Sequence, residues 1–232
     1  LVKTEMSEKE GVDIRRVPLE FEGGNIFITR NSKGEKKLLI GSTGFLSSQA
    51  TYKEVGKDLT ENQFKEILKK TFNVDDVIII GYKDYLGKYH FQPTAAFHID
   101  QMMIPISDGV VAMPKFDPAP IRLEDKELLN YKRQLDRARS IMAWEGFEII
   151  DLEVDYKAVK AFHAPTNGIM YQDRGTGQKT ILMPIFPDSQ GLYKMEGLNL
   201  KNKEAYEKAG LKVIPVEDRA FKYHGNIHCL MI

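Results

Sequence analysis

Cysteine is almost missing from this chain: Cys229 is the only one in 232 residues. A single thiol excludes an intrachain disulfide framework and most thiolate zinc sites. An excess of either charge is missing as well. Lys plus Arg and Asp plus Glu each number 33, so no global field draws the chain to nucleic acid or to an acidic membrane. No apolar run approaches the ~20 residues of a membrane span. No Gly-rich loop suited to cradling phosphates is present, and His98 with Asp100 is too sparse a set for a metal. Neither a cofactor nor a metal is expected. What is there is ordinary for a soluble globular chain, 42% apolar and 28% charged, and long enough for a sizeable core.

The chain opens on Leu1 rather than Met, and Leu1 to Glu10 is polar and charged without a signal-like apolar core. The expectation is that processing or truncation removed an upstream segment. The compartment stays open between cytoplasm and secretion after processing.

Residues 1–16 read as a charged lead-in and 17–232 as one domain. Glu20 to Arg30 is strand-like around Gly23-Gly24, a pair that marks a bulge or a close backbone approach. Lys37 to Thr43 returns as its hairpin partner. Thr60 with Gln63 forms a capping box, Leu59 with Phe64 a hydrophobic staple, and Phe64, Ile67, Leu68 and Phe72 recur at helical spacing. Val77 to Ile80 suits a buried strand. Thr94 to Ile106 reads as another, placing His98 and Asp100 on one face. Leu123 to Glu145 is an amphipathic helix with Leu128, Tyr131, Leu135, Ala138, Met142 and Trp144 on its apolar side. Strands are predicted over Phe147 to Val154, Ile169 to Tyr171, Thr180 to Phe186 and Leu211 to Val216, with a helix over Asn202 to Ala209 closed by Gly210. The rhythm is of ββαβ units, about three to four of them.

Each candidate functional residue has a structural alternative. A lone cysteine is often a small buried hydrophobe, and also a candidate thiolate nucleophile where a histidine stands by. His98 taken singly would be a hydrogen-bonded core histidine. Asp100 beside Met102 and Met103 needs a partner to be buried there. Gly23-Gly24 could be a bulge alone, and Glu22 a surface charge.

Taken together, Glu22-Gly23-Gly24-Asn25, then Phe97-His98-Ile99-Asp100, then Gly225-Asn226-Ile227-His228-Cys229 resemble the guanidine-modifying, or pentein, superfamily. The branch they look like holds agmatine deiminase and the bacterial peptidylarginine deiminases. Asp108-Gly109, Asn167-Gly168 and Phe186-Pro187-Asp188 fall in the fitting order. The resemblance covers roughly Pro18 to the C-terminus. It implies an α/β fold, a propeller of ββαβ modules, here incomplete at the N-terminus. It implies Cys229 as nucleophile, His98 as acid/base and Asp100 as a guanidinium ligand, with Glu22, Asn25 and Asn167 at the substrate. The chemistry suits these residue types: carboxylates grip a planar cation bidentately, a thiolate attacks its carbon, and a histidine protonates the leaving amine and activates water. The implied partner is a small guanidino compound or an arginine side chain; an N-terminal segment or a second copy of the chain could complete the assembly. His228 is expected to be structural, and His224 stands where a glycine is expected. A further substrate carboxylate upstream of the Glu-Gly-Gly-Asn turn has no counterpart here. An amidinotransferase and a non-catalytic binding protein of the same fold are the competing functions.

Overall fold

Three times along the described residues, two antiparallel strands are followed by a helical segment and a third strand that returns parallel to the second. The computed structural model describes residues 17–93, 96–116 and 125–219. The first unit holds β1 (Ile26–Arg30), β2 (Lys36–Gly41), α1 (Ser42–Glu54), α2 (Glu61–Phe72) and β3 (Asp76–Ile80). The second holds β4 (Ile104–Ser107), β5 (Val110–Phe116), α3 (Lys126–Trp144) and β6 (Glu148–Val154). After the short α4 (Tyr156–Lys160), the third holds β7 (Ile169–Gln172), β8 (Lys179–Ile185), α5 (Gly197–Lys208) and β9 (Lys212–Glu217). Each sheet has three strands in sequence order. The result is a mixed α/β fold of small sheets and helices.

Strand alternation sends β1, β2, β3, β5 and β6 each into two cores. Leu38 and Ile40 of β2 enter a core with Phe64 and Leu68 of α2, while Leu39 joins Ile78 and Ile80 in the next. That next core also takes Val111 and Met113 of β5 and Leu128, Tyr131, Leu135, Ala138 and Met142 of α3. Ala112 points the other way, with Leu152, Ile181, Met183 and Tyr206. Two of the three cores therefore lie between units.

α2 starts as its sequence dictates: Thr60 accepts from the backbone N of Gln63 at 3.2 Å, and the Gln63 side chain accepts from the backbone N of Thr60 at 2.9 Å. Asn73 ends it in the left-handed region at φ 48°. Other expectations are corrected. α1 is a helix the apolar spacing does not show, because buried Ser42 and Ser48 carry its inner face through hydrogen bonds. The strand expected over 37–43 therefore stops at Gly41. Trp144 is 88% exposed rather than on the apolar side of α3; two residues beyond Met142, it is turned about 200° round the helix. The strand expected over 94–106 is present only from Ile104.

Within the first sheet, registry sets the segment leading into β1 at one rim. Ile26 pairs with Ile40, and Ile40 with Ile79, so the start of β1 and the ends of β2 and β3 share a rim. In the third sheet the start of β7 meets the middle of β8, Ile169 opposite Leu182, and the ends of β8 and β9 pair, Ile185 opposite Glu217. Residues 22–25, 98–103 and 166–168 each lead into the first strand of a unit.

Candidate active site

The residues entering β4 do not form a strand. His98 is extended (φ −119°, ψ 153°) and caps a 3-10 turn, Ile99–Gln101, whose Gln101 amide oxygen accepts from the His98 backbone N at 3.5 Å. Ala96, Ile99, Met102 and Met103 are all 0% exposed within the core shared by the first and second units. Four apolar side chains thus anchor the turn, and this anchoring overrides the period-two pattern that suggested a strand. His98 and Asp100 nonetheless converge. Both reach the α-carbon of Gly24, where a β-carbon would stand 2.6 Å from Asp100 Oδ2 and 2.9 Å from His98 Nδ1. Gly23–Asn25 is a 3-10 turn rather than a bulge, and Gly24 gives the close backbone approach that its sequence context suggests.

Glu22 closes the other side of the imidazole: its Oε2 contacts His98 Nε2. The Glu22 side chain is mostly exposed and that of His98 mostly buried. With Nε2 on the carboxylate, Nδ1 is left facing Gly24 and Asp100 with no hydrogen-bond partner among the described residues. Asn25 is buried, and its Oδ1 accepts from the backbone N of Ile99 at 3.2 Å. Asn167 is fully buried beside Thr166, whose Oγ1 donates to the backbone carbonyl of Asp100 at 2.8 Å. Glu22, Asn25, His98 and Asp100 are thus linked between the first and second units, and Thr166, the neighbour of Asn167, ties the Asp100 backbone to the third. Cys229, His224 and His228 lie outside the described residues. Sequence reasoning does not single out Thr166; its position before Asn167-Gly168 is the available signal.

Among the described residues no group of three or more His, Cys, Asp or Glu is placed to hold a metal, and no helix is long and apolar enough to cross a membrane.

The family model for Porphyromonas-type peptidyl-arginine deiminase matches residues 1–232. Solved structures share the fold at low identity. The agmatine deiminase of C. jejuni matches with TM-score 0.61 and 18% identity over 98% of this chain and 60% of its own. A Porphyromonas gingivalis protein described as a candidate arginine deiminase matches with TM-score 0.66 and 15% identity over 99% and 62%. The agmatine deiminase of Enterococcus faecalis gives 0.55 and 16% over 97% and 60%. The chain therefore spans about three fifths of the length of these proteins. No curated protein matches it.

Proposed function

Since the chain belongs to the Porphyromonas-type peptidyl-arginine deiminase family of the pentein superfamily, we propose that it takes part in hydrolysing a guanidinium to a ureido group and ammonia. The observation that carries this is the pairing of Glu22 with His98 while the second ring nitrogen turns toward Asp100. A carboxylate on one nitrogen of an imidazole fixes its orientation and tautomer and leaves the other nitrogen to move protons. Glu22 is accordingly the residue that holds His98, and Asp100 the carboxylate that receives the N–H groups of the cation.

The proposed reaction uses these residues together with Cys229. The guanidinium sits against Asp100, with Asn167 beside it. The Cys229 thiolate attacks the guanidinium carbon and forms a C–S bond. His98 Nδ1–H gives its proton to the terminal nitrogen, which leaves as ammonia, and a thiouronium remains on sulfur. Neutral His98 then takes a proton from water as the oxygen adds to the same carbon. The C–S bond breaks, returning its electron pair to Cys229, the added oxygen gives up its remaining proton to solvent, and a neutral urea is left on the substrate. Agmatine and peptidyl-arginine are the leading substrates. In this proposal residues 17–232 form one catalytic domain, its ββαβ units set propeller-fashion around the site.

Ammonia release and colorimetric detection of the ureido product on agmatine, free arginine and an arginine peptide test the proposal. Cys229→Ala is expected to abolish turnover. Glu22→Gln, which keeps the shape and removes the charge, is expected to lower kcat by about 10²-fold or more, within the ~10²–10⁴ that proton transfer contributes. Full turnover by Cys229→Ala would sink the mechanism.

A further inference from the structure

The turn bearing His98 and Asp100 is held at its backbone from two neighbouring units. On one side, Asn25 of the first unit accepts from Ile99 N at 3.2 Å. On the other, Thr166 at the head of the third unit donates to the Asp100 carbonyl at 2.8 Å. These two peptide groups, Ile99 N–H and Asp100 C=O, bracket the segment between the two side chains that matter. Both clamping residues are buried, Asn25 at 2% and Thr166 at 1% exposure. In such a place a hydrogen bond is strong, and a lost partner leaves a polar group stranded.

Thr166 stands on a fixed platform. The carbonyl of Pro165, its neighbour, accepts from Tyr206 Oη at 3.0 Å, and Tyr206 is a wholly buried side chain of α5. The backbone N of Asn167 donates to the Ala164 carbonyl at 3.0 Å, closing the turn around Thr166. A displacement of the third unit is thereby passed through Thr166 to the main chain of Asp100. Asn25 is held as closely: Gly41 lacks a β-carbon where one would stand 2.0 Å from Asn25 Oδ1.

We propose that Thr166 and Asn25 are positioning residues: they grip the His98–Asp100 turn from either side and set where its imidazole and carboxylate meet the substrate. This rests on the deiminase function proposed above. Neither residue need touch the guanidinium for this role. Their effect falls on the chemical step, because catalysis is steeper in geometry than binding is, and a misplacement of about 1 Å can cost about 10²-fold in rate.

The test is made on the full chain. Thr166→Val keeps the shape and removes the donor; Thr166→Ser keeps the donor. Steady-state kinetics on agmatine and an arginine peptide give kcat and KM, circular dichroism gives the fold, and NMR follows the His98 ring resonances without any substrate. The expected result for Thr166→Val is a kcat lowered about 10–100-fold, a smaller change in KM, and shifted His98 resonances in a folded protein. Thr166→Ser is expected to recover most of kcat. If Thr166→Val does not fold, Asn25→Ser puts the same question from the other side, with the same expected outcomes. Wild-type kcat and unmoved His98 resonances in a folded Thr166→Val or Asn25→Ser would overturn the proposal. Failure of the wild-type chain to turn over either substrate would count against the deiminase function instead, and the ring resonances would then decide the positioning role.

Discussion

A methyl on Gly24 would have to share space with Asp100 Oδ2 and His98 Nδ1, both within 3 Å of where it would stand. Gly24→Ala is therefore expected to push the two side chains apart and lower kcat/KM by about 10²-fold, with circular dichroism close to wild type; unchanged kinetics would show that the two groups need not meet there. Gly24 sits in a motif the sequence made visible, and its closeness to another segment was suggested by Gly-Gly alone. The pairing of Glu22 with His98 was not legible, because 76 residues separate them and no local pattern records such a contact. His163 shows a second kind of invisibility. It lies against Phe186, ring centroids 4.3 Å apart and 11° from parallel, and burial pushes its pKa down to about 4. The folded state thus resists a proton that the unfolded chain accepts near pH 6.5, so stability is full above that pH and falls as pH drops toward about 4. Relative to His163→Gln, wild type is expected to lose about 2 kcal/mol across that window, allowing for its partial exposure. Thermal midpoints of both proteins from pH 7 to 4.5 would show it; parallel curves would refute it.

At the scale of elements, legibility follows how local the determinants are. α2 was read from Thr60, Gln63 and Asn73 because its cap, its stop and its apolar stripe all lie within its own residues. Thr60→Ala should lower stability by about 1 kcal/mol, measured by urea denaturation, since the capping box is its main device at that end; no change would mean that Glu61, in the first turn, suffices. α1 escaped because its inner face is partly hydroxyl: Ser48 Oγ bonds both N and O of Glu20 at 2.9 and 3.1 Å. The segment 94–106 misled in the opposite way. Its apolar residues do go inward, but onto a 3-10 turn wedged between units, so the core partner rather than the period decided its shape.

For the molecule as a whole, the ββαβ rhythm was readable while the placement of the cores was not. The middle sheet explains the difference. Val111 and Met113 of β5 pack toward the first unit, and Ala112 toward the third; Ile149 of β6 faces the first unit's side, Ile150 and Leu152 the third's. A sheet buried on both faces cannot be made stable by its own unit. Apolar surface removed from water stabilises by about 25 cal/mol per Å², and in the two cores that lie between units that burial is shared by neighbours, while the first unit also keeps a core of its own. The site turn lies in one such shared core through Ile99, Met102 and Met103, and its clamps come from the units on either side. Opening the seam between units and dismantling the site are then one event. In urea, the far-ultraviolet dichroism of the chain, the His98 ring resonances and the proposed ureido-forming activity are expected to disappear at a common midpoint, as a cooperative transition requires. Loss of the His98 resonances at clearly lower urea than the dichroism would show that the site turn opens by itself, and that the shared core does not govern it.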